Sequence, residues 1–476
     1  MTLKRYRYIY LTTWLGAIVC FLNACTNGNG AAIIREIHIG LHNNNHLQVQ
    51  ADVFTESACD AYVEYWPHDA GEQQKSSSLT SLNKEKHSLL LLNITPHTSY
   101  DYRIVLEKNG TKTESKIYNF ESVDLPPWLQ DQFKDTAVRA NFLPAEFRNG
   151  LMLMNKRETP GMLYMVNYKG DLRWYHTING TGFKVAHFTK DKTILSILGT
   201  NDEPTSYGSE ILELNLTGDT ILHLKKNQND FKYTIHHEIL KNNSNQLVTI
   251  YVDERVMDLS AIGGNRADTV KGDGIVILDT TGKEVWKWSV FDVLDPLKDP
   301  GILKNKKDWM HANSLNFDTD SSFIISFYNN GQIWKVNPHT GKVEWKLGRG
   351  GSLAMPAECN FTETHAVHVN PYGSLLFFDN GVEKKQSEVF ALKLDEGKKT
   401  AKIDFHFKLP KEVYNERMGS AYMINDTTVL CCCSKRHITV LANKKGQLLW
   451  TLNSAIPPYR AEFLRAKDVE PYLKPL

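Results

Sequence analysis

The sequence predicts an all-β protein in which a six-bladed β-propeller follows a small β-sandwich. Aromatic residues make up 11% of the 476 residues and glycines are spread along the chain, which is typical of proteins built from strands and tight turns. Short alternating strands occupy the region that follows the N-terminal segment. A strand–turn–strand unit then recurs six times at intervals of about 48 to 64 residues, which is the size of a propeller blade.

The chain opens with a predicted targeting segment. A basic start, MTLKRYRY, precedes an apolar run and the motif LNAC at residues 22–25, an order typical of a secretory signal peptide. The motif resembles the lipobox of bacterial lipoproteins, so residues 1–25 are predicted to be a lipoprotein signal peptide and Cys25 the lipidated residue. An ordinary cleaved signal is the alternative. We therefore expect a lipid-anchored protein on the periplasmic side of the cell envelope, at a membrane that the sequence does not specify.

Charge and cysteine content narrow the function classes. The formal net charge is +1, so a nucleic-acid partner is not expected. The cysteines beyond the lipobox lack the C-x-x-C spacing of structural metal sites. An oxidising compartment permits disulfides, but buried free thiols are the simpler interpretation. These residues are Cys59, Cys359, Cys431, Cys432 and Cys433.

Residues 33–123 are predicted to form the β-sandwich. Alternating segments such as DAYVEYWP and SYDYRIVLEKNG have the period of half-buried strands. The stretch LNITPHTSYDYRIVL resembles the tyrosine corner of fibronectin type III sandwiches, which would turn Leu92, Tyr100 and Tyr102 toward the core. The proline-containing segment VDLPPWLQDQF then reads as a stiff linker.

The propeller is predicted to span residues 136–465. Each of its six units has a strand, a turn with Asn or Asp and then Gly, and a second strand that usually carries an aromatic residue. A seventh blade within residues 289–307 is the less favoured alternative. The turn glycines are Gly170, Gly218, Gly282, Gly341, Gly397 and Gly446. The recurring tryptophans, which we expect to pack between neighbouring blades, are Trp174, Trp286, Trp345 and Trp450.

Histidines begin the strand that precedes the hairpin in several units. His237, His311 and His365 begin three of these strands, and His187 begins a fourth less clearly. Because the first strand of each blade lines the central channel, equivalent positions would point at one spot on the axis. A lone histidine is more often structural than catalytic, but three at equivalent positions favour a shared site.

Three imidazoles around one channel have two chemical interpretations. A neutral imidazole is a good nucleophile, and a second, protonated one can serve as an acid. Three histidines are also a natural zinc site, but no carboxylate pattern of metal-site type accompanies them, so neither a metal nor a cofactor is predicted. His236 and His368 are expected to face away from His237 and His365 and to be structural.

Four segments, taken in order, resemble signature segments of bacterial arylsulfate sulfotransferases. They are HHE at 236–238, DWMHANSL at 308–315, THAVHVNPYGSLLFFDNG at 364–381 and YRAEF at 459–463. The resemblance covers the propeller and the sandwich before it. It implies transfer of a sulfuryl group from an aryl sulfate to a phenol, without phosphoadenosine phosphosulfate (PAPS), in a ping-pong reaction through a sulfohistidine.

The resemblance also assigns roles to residues. His365 matches the nucleophile that takes the sulfuryl group. His311 and Asn313 match residues that hold the sulfuryl oxygens and assist proton transfer. His237 matches the other active-site histidine. Aryl sulfates are reasonable donors on chemical grounds, because a phenolate leaves more easily than an alkoxide.

The sequence departs from the family pattern at two places. Thr364 and Ala366 flank the predicted nucleophile where the family has Gln and Asp, and FYN at 327–329 stands where the family has an arginine. A sulfuryl group in transfer spreads negative charge over three oxygens and needs preorganised donors, so a cation from elsewhere is expected. Lys435 and Arg436, at the expected end of the inner strand of the last blade, are the predicted substitutes, with a solvated loop as the alternative.

Three functional hypotheses follow. The first is an envelope lipoprotein that transfers sulfuryl groups between small-molecule aryl sulfates and phenols through His365. The second is a non-catalytic propeller that binds a ligand or partner at the channel mouth. The third is a three-histidine metalloenzyme. The membrane is a partner through the lipid anchor, and whether the chain forms a homodimer is left open.

Overall fold

The computed structural model describes residues 32–136 and 139–474. These residues form two units that divide between Gln130 and Asp131, and strands dominate both. The predicted signal peptide and Cys25 lie outside the described residues. Each helix that the structure describes lacks the length or the apolar character that a membrane crossing requires.

The N-terminal unit is a hydrogen-bonded network of antiparallel strands. Its strands are β1 (Ile34–His42), β2 (Asn45–Pro67), β3 (Ser76–Ser77), β4 (Ser81–Leu91), β5 (Ser99–Lys108), β6 (Thr111–Glu114) and β7 (Tyr118–Glu121). The long strand β2 pairs with β1 and β4 along its first part and with β5 along its last part. Strand β3 adds to β2, and β6 and β7 add to β5.

The core of this unit contains the three residues that the sequence predicts to face it. Leu92, Tyr100 and Tyr102 are buried, as expected. The Thr95 amide donates a hydrogen bond of 2.9 Å to the Tyr100 hydroxyl, and the Tyr65 hydroxyl donates one of 2.7 Å to the Leu92 carbonyl. The closer likeness to fibronectin type III stays a prediction.

The C-terminal unit is a six-bladed β-propeller, which confirms the predicted architecture. In chain order its strands are β8 (Phe133–Thr136), β9 (Gly150–Lys156), β10 (Gly161–Val166), β11 (Leu172–Ile178), β12 (Gly182–Phe188), β13 (Thr193–Gly199), β14 (Tyr207–Gly208), β15 (Glu210–Asn215), β16 (Thr220–Lys225), β17 (Ile235–Lys241), β18 (Leu247–Met257), β19 (Asp268–Leu278), β20 (Glu284–Ser289), β21 (Ala312–Phe317), β22 (Phe323–Phe327), β23 (Gln332–Val336), β24 (Val343–Gly348), β25 (Thr364–Val369), β26 (Leu375–Asp379), β27 (Glu388–Asp395), β28 (Thr400–Lys408), β29 (Ser420–Asn425), β30 (Thr428–Cys433), β31 (Ile438–Asn443), β32 (Leu448–Ser454) and β33 (Ala461–Arg465).

Both ends of this unit close the propeller. Strands β9 to β11 form blade one, and the last strand of the chain, β33, adds beside β9 as the inner strand of that blade. Strands β12, β13, β15 and β16 form blade two, and β17 to β20, with the short β14, form blade three. Blades four and five are β21 to β24 and β25 to β28, and β29 to β32 form blade six, whose outer edge takes β8. The first and last segments of the propeller are thereby held by blades to which they are distant in sequence.

Helices are short and lie between strands. The α-helices are α1 (Ala145–Arg148), α2 (Ile302–Asn305) and α3 (Ala466–Val469). The 3₁₀ turns are His68–Gln74, Ala140–Phe142, Ser260–Ile262, Val290–Asp292, Pro296–Lys298, Lys411–Val413 and Ser434–Arg436. Because residues 290–305 hold two such turns and α2, no seventh blade lies in that stretch.

The recurring tryptophans join neighbouring blades, as predicted. The indole of Trp174 in blade one donates to the Leu216 carbonyl of blade two over 2.8 Å. The indole of Trp450 in blade six donates to the Tyr168 carbonyl of blade one over 2.7 Å. Five of the six turn glycines have positive φ, between 67° and 94°, which favours glycine. Gly397 is the exception.

The cysteines of the described residues are free and buried, which agrees with the simpler interpretation of the sequence. Three of them are consecutive on β30 in blade six. Burial raises the pKa of Cys431 and Cys433 and raises that of Cys432 to about 12. These thiols therefore act as packing side chains rather than as reactive groups.

Candidate active site

The inner strands of blades two to five are irregular where the predicted histidines lie. Strands β12, β17, β21 and β25 each shift register once against the next strand of the blade. At or beside these points His237, His311 and Ala366 have positive φ, of 59°, 55° and 52°. A β-bulge redirects side chains, and positive φ is costly for a residue with a Cβ. The propeller thus keeps backbone strain where three of its blades meet the channel.

The three predicted histidines line one cavity of about 480 Å³, which we call the histidine cavity. Aromatic rings form a row along its wall. The ring centroids of His237 and His311 are 5.1 Å apart, those of His311 and Tyr328 are 5.4 Å apart, and those of Tyr328 and His365 are 5.6 Å apart. The structure therefore brings all three histidines around a common space.

Asn380 determines which nitrogen of His365 carries the proton. The Asn380 amide nitrogen donates to the carbonyls of Asn415 and Met418, over 2.7 and 2.9 Å. The reverse orientation would set an amide oxygen against two carbonyl oxygens, so Oδ1 faces His365. Oδ1 lies 2.6 Å from Nδ1 of His365 and can only accept. The neutral imidazole is therefore protonated at Nδ1, and its Nε2 has a free lone pair.

His365 is neutral throughout the physiological range. Burial and the positive charges of Arg460 and His311 lower the pKa of His365 to about 3, and the hydrogen bond to Asn380 offsets only part of this effect. Among residues 139–474, no hydrogen bond occupies Nε2. A buried, neutral imidazole with one free nitrogen has the properties of a nucleophile.

His311 has the opposite tendency. Its Nδ1 lies 2.7 Å from a carboxylate oxygen of Asp308. Burial lowers the pKa of His311, but the hydrogen bond and charge of Asp308, together with Asp273, outweigh burial and raise it. In the protonated form Nδ1–H binds Asp308 and the second N–H remains available. The cavity thus holds neighbouring imidazoles whose pKa values are shifted in opposite directions.

The prediction that His236 faces away from His237 is wrong. The bulge in β17 brings the two Nδ1 atoms to 2.8 Å. Nε2 of His236 lies 3.3 Å from the Asp273 carboxylate without forming a hydrogen bond, so the contact between the two Nδ1 atoms is the hydrogen bond that joins the two rings. Burial and the imidazoles of His311 and His236 keep the pKa of His237 well below its usual range. His237 is therefore a second neutral imidazole in the cavity.

The sequence predicts equivalent positions for the three histidines, and the structure shows that His311 departs from this pattern. His237 and His365 each precede by five residues the asparagine that opens the next turn, whereas His311 precedes Asp318 by seven. Asn313 occupies the equivalent position in blade four. Because His311 lies just before β21 and has positive φ, it still reaches the cavity.

The prediction that Asn313 contacts substrate is not supported by its surroundings. Asn313 is fully buried and is not part of the cavity wall. Its side-chain amide donates to the Thr364 carbonyl over 2.7 Å and accepts from the Ser326 hydroxyl over 2.6 Å. Thr364 directly precedes His365, so Asn313 positions the strand of the predicted nucleophile.

The two predicted cations differ in position. Lys435 lines the histidine cavity, and its backbone amide donates to Asn415 over 2.8 Å. Arg436 does not line the cavity, because its Nε donates to the Tyr414 carbonyl on the exposed side of the loop. Both belong to a 3₁₀ turn after β30, the second strand of blade six, and not to an inner strand.

Two residues of the site were not anticipated. Arg157, just after β9, is buried and lines the histidine cavity. Its sequence context, NKRETP, carries no local signal for such a role. Asn380, in contrast, lies in the segment FFDNG, next to the strand end that pairs with His365. Because Asn380 directly follows the strand that pairs with the predicted nucleophile, its polar side chain could have been predicted from the sequence to lie near His365.

A second group of charged side chains lies next to the site, and we call it the axial ion cluster. It comprises His187, Glu238, Arg460 and Glu462. Arg460 Nη1 binds the Glu238 carboxylate over 2.6 Å, and its Nη2 donates to the Asn313 carbonyl over 3.2 Å. Burial lowers the pKa of His187, but the charges and hydrogen bonds of Glu238 and Glu462 outweigh this effect and raise the pKa to about 9. His187 is thus part of an ion cluster and not a fourth cavity histidine.

We expect Arg460→Met to lower the free energy of unfolding by about 3–5 kcal/mol, because it leaves a buried carboxylate without its cation. Chemical denaturation of the full chain measures this change. The exposed Arg436→Met is the matched control and should alter stability by no more than about 0.5 kcal/mol. Equal midpoints for the Arg460 variant and wild type would show that the cluster makes no net contribution.

His368 lies beyond the bulge of β25. It is not part of the cavity wall, as the sequence predicts. Its Nδ1 is 2.9 Å from the Ala366 carbonyl, and its ring stacks on Tyr422 at 5.1 Å.

Within residues 32–136 and 139–474, His, Cys, Asp and Glu side chains form no group of three arranged to hold a metal ion.

The sequence matches known proteins at the level of the family. No curated protein matches it. Solved structures that match include a protein of unknown function from Bacteroides caccae, at 10% identity over 67% of this chain and 99% of that chain, with a TM-score of 0.44. Virginiamycin B lyase from Staphylococcus aureus matches at 8% identity over 71% of this chain and 97% of its own, with a TM-score of 0.35. The family model for arylsulfotransferase (ASST) matches residues 138–448, well over half of the chain, and this protein therefore belongs to the arylsulfotransferase family.

Proposed function

We propose that the protein is a PAPS-independent arylsulfate sulfotransferase that moves a sulfuryl group from an aryl sulfate to a phenol through a sulfohistidine at His365. One observation carries the proposal. The Asn380 amide fixes His365 as a neutral Nδ1–H imidazole, so that a free Nε2 belongs to the same cavity as a proton-bearing His311. Family membership supports sulfotransferase activity in general.

The first half-reaction transfers the group to the enzyme. Nε2 of His365 attacks the sulfur of the aryl sulfate, and the nitrogen–sulfur bond forms as the bond from sulfur to the aryl oxygen breaks. The leaving oxygen keeps the electron pair of that bond and takes the proton of His311. The Nδ1–H of the sulfated imidazole stays bound to Asn380.

The second half-reaction returns the enzyme to its starting state. The hydroxyl of an acceptor phenol gives its proton to the now neutral His311, and its oxygen attacks sulfur. The nitrogen–sulfur bond breaks, and its electron pair returns to Nε2 of His365. Because the first phenol leaves before the acceptor binds, kinetics with both substrates varied should follow a ping-pong pattern. No cofactor is consumed in either step.

Mass spectrometry of the intact protein tests this function most directly. After mixing with a chromogenic aryl sulfate and no acceptor, the protein should gain the mass of one SO₃, and one equivalent of phenol should be released. Peptide mapping should locate the added mass on His365. If several aryl sulfates yield neither adduct nor phenol, a ligand-binding propeller without catalysis replaces this proposal. Activity that depends on zinc and is lost to a chelator would favour the metalloenzyme hypothesis.

The cellular setting that we propose is the periplasmic side of the envelope, with Cys25 as the lipid attachment point. The sequence of residues 1–25 supports this proposal. Metabolic labelling with a fatty-acid probe should mark the wild-type protein. A Cys25→Ser variant that is labelled equally would contradict the anchor.

We expect Asn380→Ala to slow adduct formation by at least about 10–100-fold, the range for removing the hydrogen-bond partner of a metal-bound histidine. The reason is that Nδ1–H of His365 loses its acceptor, so part of the population shifts to the unreactive Nε2–H tautomer. Nitrogen NMR of histidine-labelled protein should show this shift. A slower variant whose His365 keeps the Nδ1–H tautomer would mean that Asn380 acts through the fold alone.

A further inference from the structure

The guanidinium of Arg157 is a buried charge that contacts no carboxylate among the described residues of the propeller. Arg157 is 8% exposed and lines the histidine cavity. Its Nη1 donates to the sulfur of Met418 over 3.1 Å, and its guanidinium carbon lies 4.4 Å from the centroid of the Tyr459 ring. Nε and Nη2 have no hydrogen-bond partner. None of these contacts neutralises the charge.

Comparison with Arg460 shows how unusual this arrangement is. Both arginines are buried, and the positive charge of each lowers the pKa of His365. Arg460 is paired with the Glu238 carboxylate at 2.6 Å, whereas in the described part of the propeller no ion pair includes Arg157. An unpaired buried charge is costly, so its presence needs an explanation, and a bound anion is one such explanation.

The free nitrogens of Arg157 form one edge of the guanidinium plane. The hydrogens on Nε and Nη2 point in the same direction, and this fork matches two oxygens of an oxyanion. Nη1, on the other edge, is engaged by Met418. Arg157 thus has a buried bidentate edge without an acceptor, while Tyr459 and Met418 hold the rest of the group.

The backbone around Arg157 is also constrained. A Cβ on Gly182 would lie 1.8 Å from the Arg157 carbonyl oxygen. Only glycine permits this approach of the loop after β9 to the first residue of β12. The Asn155 amide donates to the Phe183 carbonyl over 2.6 Å and fixes the same junction. Packing between blades one and two therefore places Arg157.

We propose that Arg157 binds two oxygens of the sulfuryl group as it passes between the aryl oxygen and His365. Arg157 would then supply from blade one the cation that FYN at 327–329 lacks in blade four. The inference rests on the proposed function for the identity of the anion. The positive charge of Arg157 also contributes to the lowered pKa of both His237 and His365, which agrees with a position close to these two imidazoles.

A binding role and a structural role for Arg157 predict opposite changes in stability. If the site is built for an anion, Arg157→Met removes an unpaired buried charge and should leave the melting temperature equal to or above that of wild type. If Arg157 is a structural side chain, the same change should lower it, as expected for Arg460→Met. Thermal denaturation of the full chain without ligand distinguishes the two.

Single-turnover kinetics tests the function of the fork. Arg157→Met should slow formation of the sulfuryl adduct by about 10²–10³-fold, the scale for losing one preorganised oxyanion donor. Arg157→Lys keeps the charge but loses the fork, and its rate should fall between those of Arg157→Met and wild type. Arg349→Met changes an exposed arginine outside the cavity and should react like wild type.

Calorimetric measurement of the affinity for inorganic sulfate tests the proposal without the transfer reaction. Wild type should bind sulfate, and Arg157→Met should bind it at least tenfold more weakly. If wild type forms no adduct, the proposed function fails, and this comparison still decides whether Arg157 binds an oxyanion. Arg417 is an exposed arginine that also lines the histidine cavity. Equal sulfate affinity, a wild-type rate of adduct formation in Arg157→Met, or a larger loss in Arg417→Met than in Arg157→Met would each overturn the proposal.

Discussion

We expect His365→Ala to abolish both the sulfuryl adduct and the release of phenol from an aryl sulfate. The substitution removes the nitrogen that would form the bond to sulfur, and loss of a nucleophile costs on the order of 10⁵–10⁶ in rate. Residual activity would come from binding and from the polar groups that remain. The measurement is phenol release in a single turnover, together with the mass of the intact protein.

His237 is the rival nucleophile. It is also buried and neutral, its Nδ1 is bound to His236, and it lines the same cavity. Peptide mapping of the wild-type adduct therefore has to separate the two. If the SO₃ group lies on His237, or if His365→Ala still forms an adduct, the assignment of His365 is wrong while the sulfohistidine mechanism stands. His339→Ala, in an exposed turn of blade four, should form the adduct as wild type does.

The propeller was predictable from sequence because its signals are local and repeated. A glycine turn followed by an aromatic strand is contained in about fifteen residues, and six copies identify the blades. Most of the tryptophan contacts, such as Trp174 to the Leu216 carbonyl, join units that are adjacent in sequence, and the contact of Trp450 with Tyr168 joins the last unit to the first. The count of six blades therefore needs no knowledge of long-range structure.

The geometry of the site was only partly predictable, because it depends on irregular backbone. An alternating strand would place His236 and His237 on opposite faces, but the bulge in β17 turns both toward one network. A bulge changes the direction of side chains without a distinctive residue pattern. The same irregularity explains why His311 reaches the cavity although Asn313 holds the equivalent position.

For a related reason, the sequence did not indicate Arg157 as a candidate cation. Lys435 and Arg436 were chosen because they lie near the end of an inner-blade strand, whereas Arg157 comes from a loop of blade one. Arg157 contacts Met418 and Tyr459, which are more than 250 residues away in sequence. Nothing near Arg157 in the sequence reports these neighbours, so only the closed ring of blades reveals its position.

His311 should give the two half-reactions opposite dependences on pH. The pKa of His311 is raised, so the imidazole is protonated below that pKa and neutral above it. Transfer from donor to enzyme uses the protonated form, and its rate should fall as the pH rises through this pKa. Transfer to the acceptor uses the neutral form, and its rate should rise over the same interval. Acceptor phenols, with a pKa of about 10, remain protonated throughout.

His311→Gln should remove both dependences and slow phenyl sulfate turnover by roughly 10²–10⁴-fold, the scale for a lost acid–base group. The loss should be much smaller for a nitrophenyl sulfate, because an acidic phenol leaves without a proton. That contrast separates acid catalysis from a structural role, since a misfolded site would slow both donors alike. Asp308→Asn should lower the pH at which both half-reactions change, because it removes the carboxylate charge that raises the pKa of His311. If both donors are slowed equally, or if the two half-reactions respond to pH in the same direction, His311 is not the group that exchanges the proton.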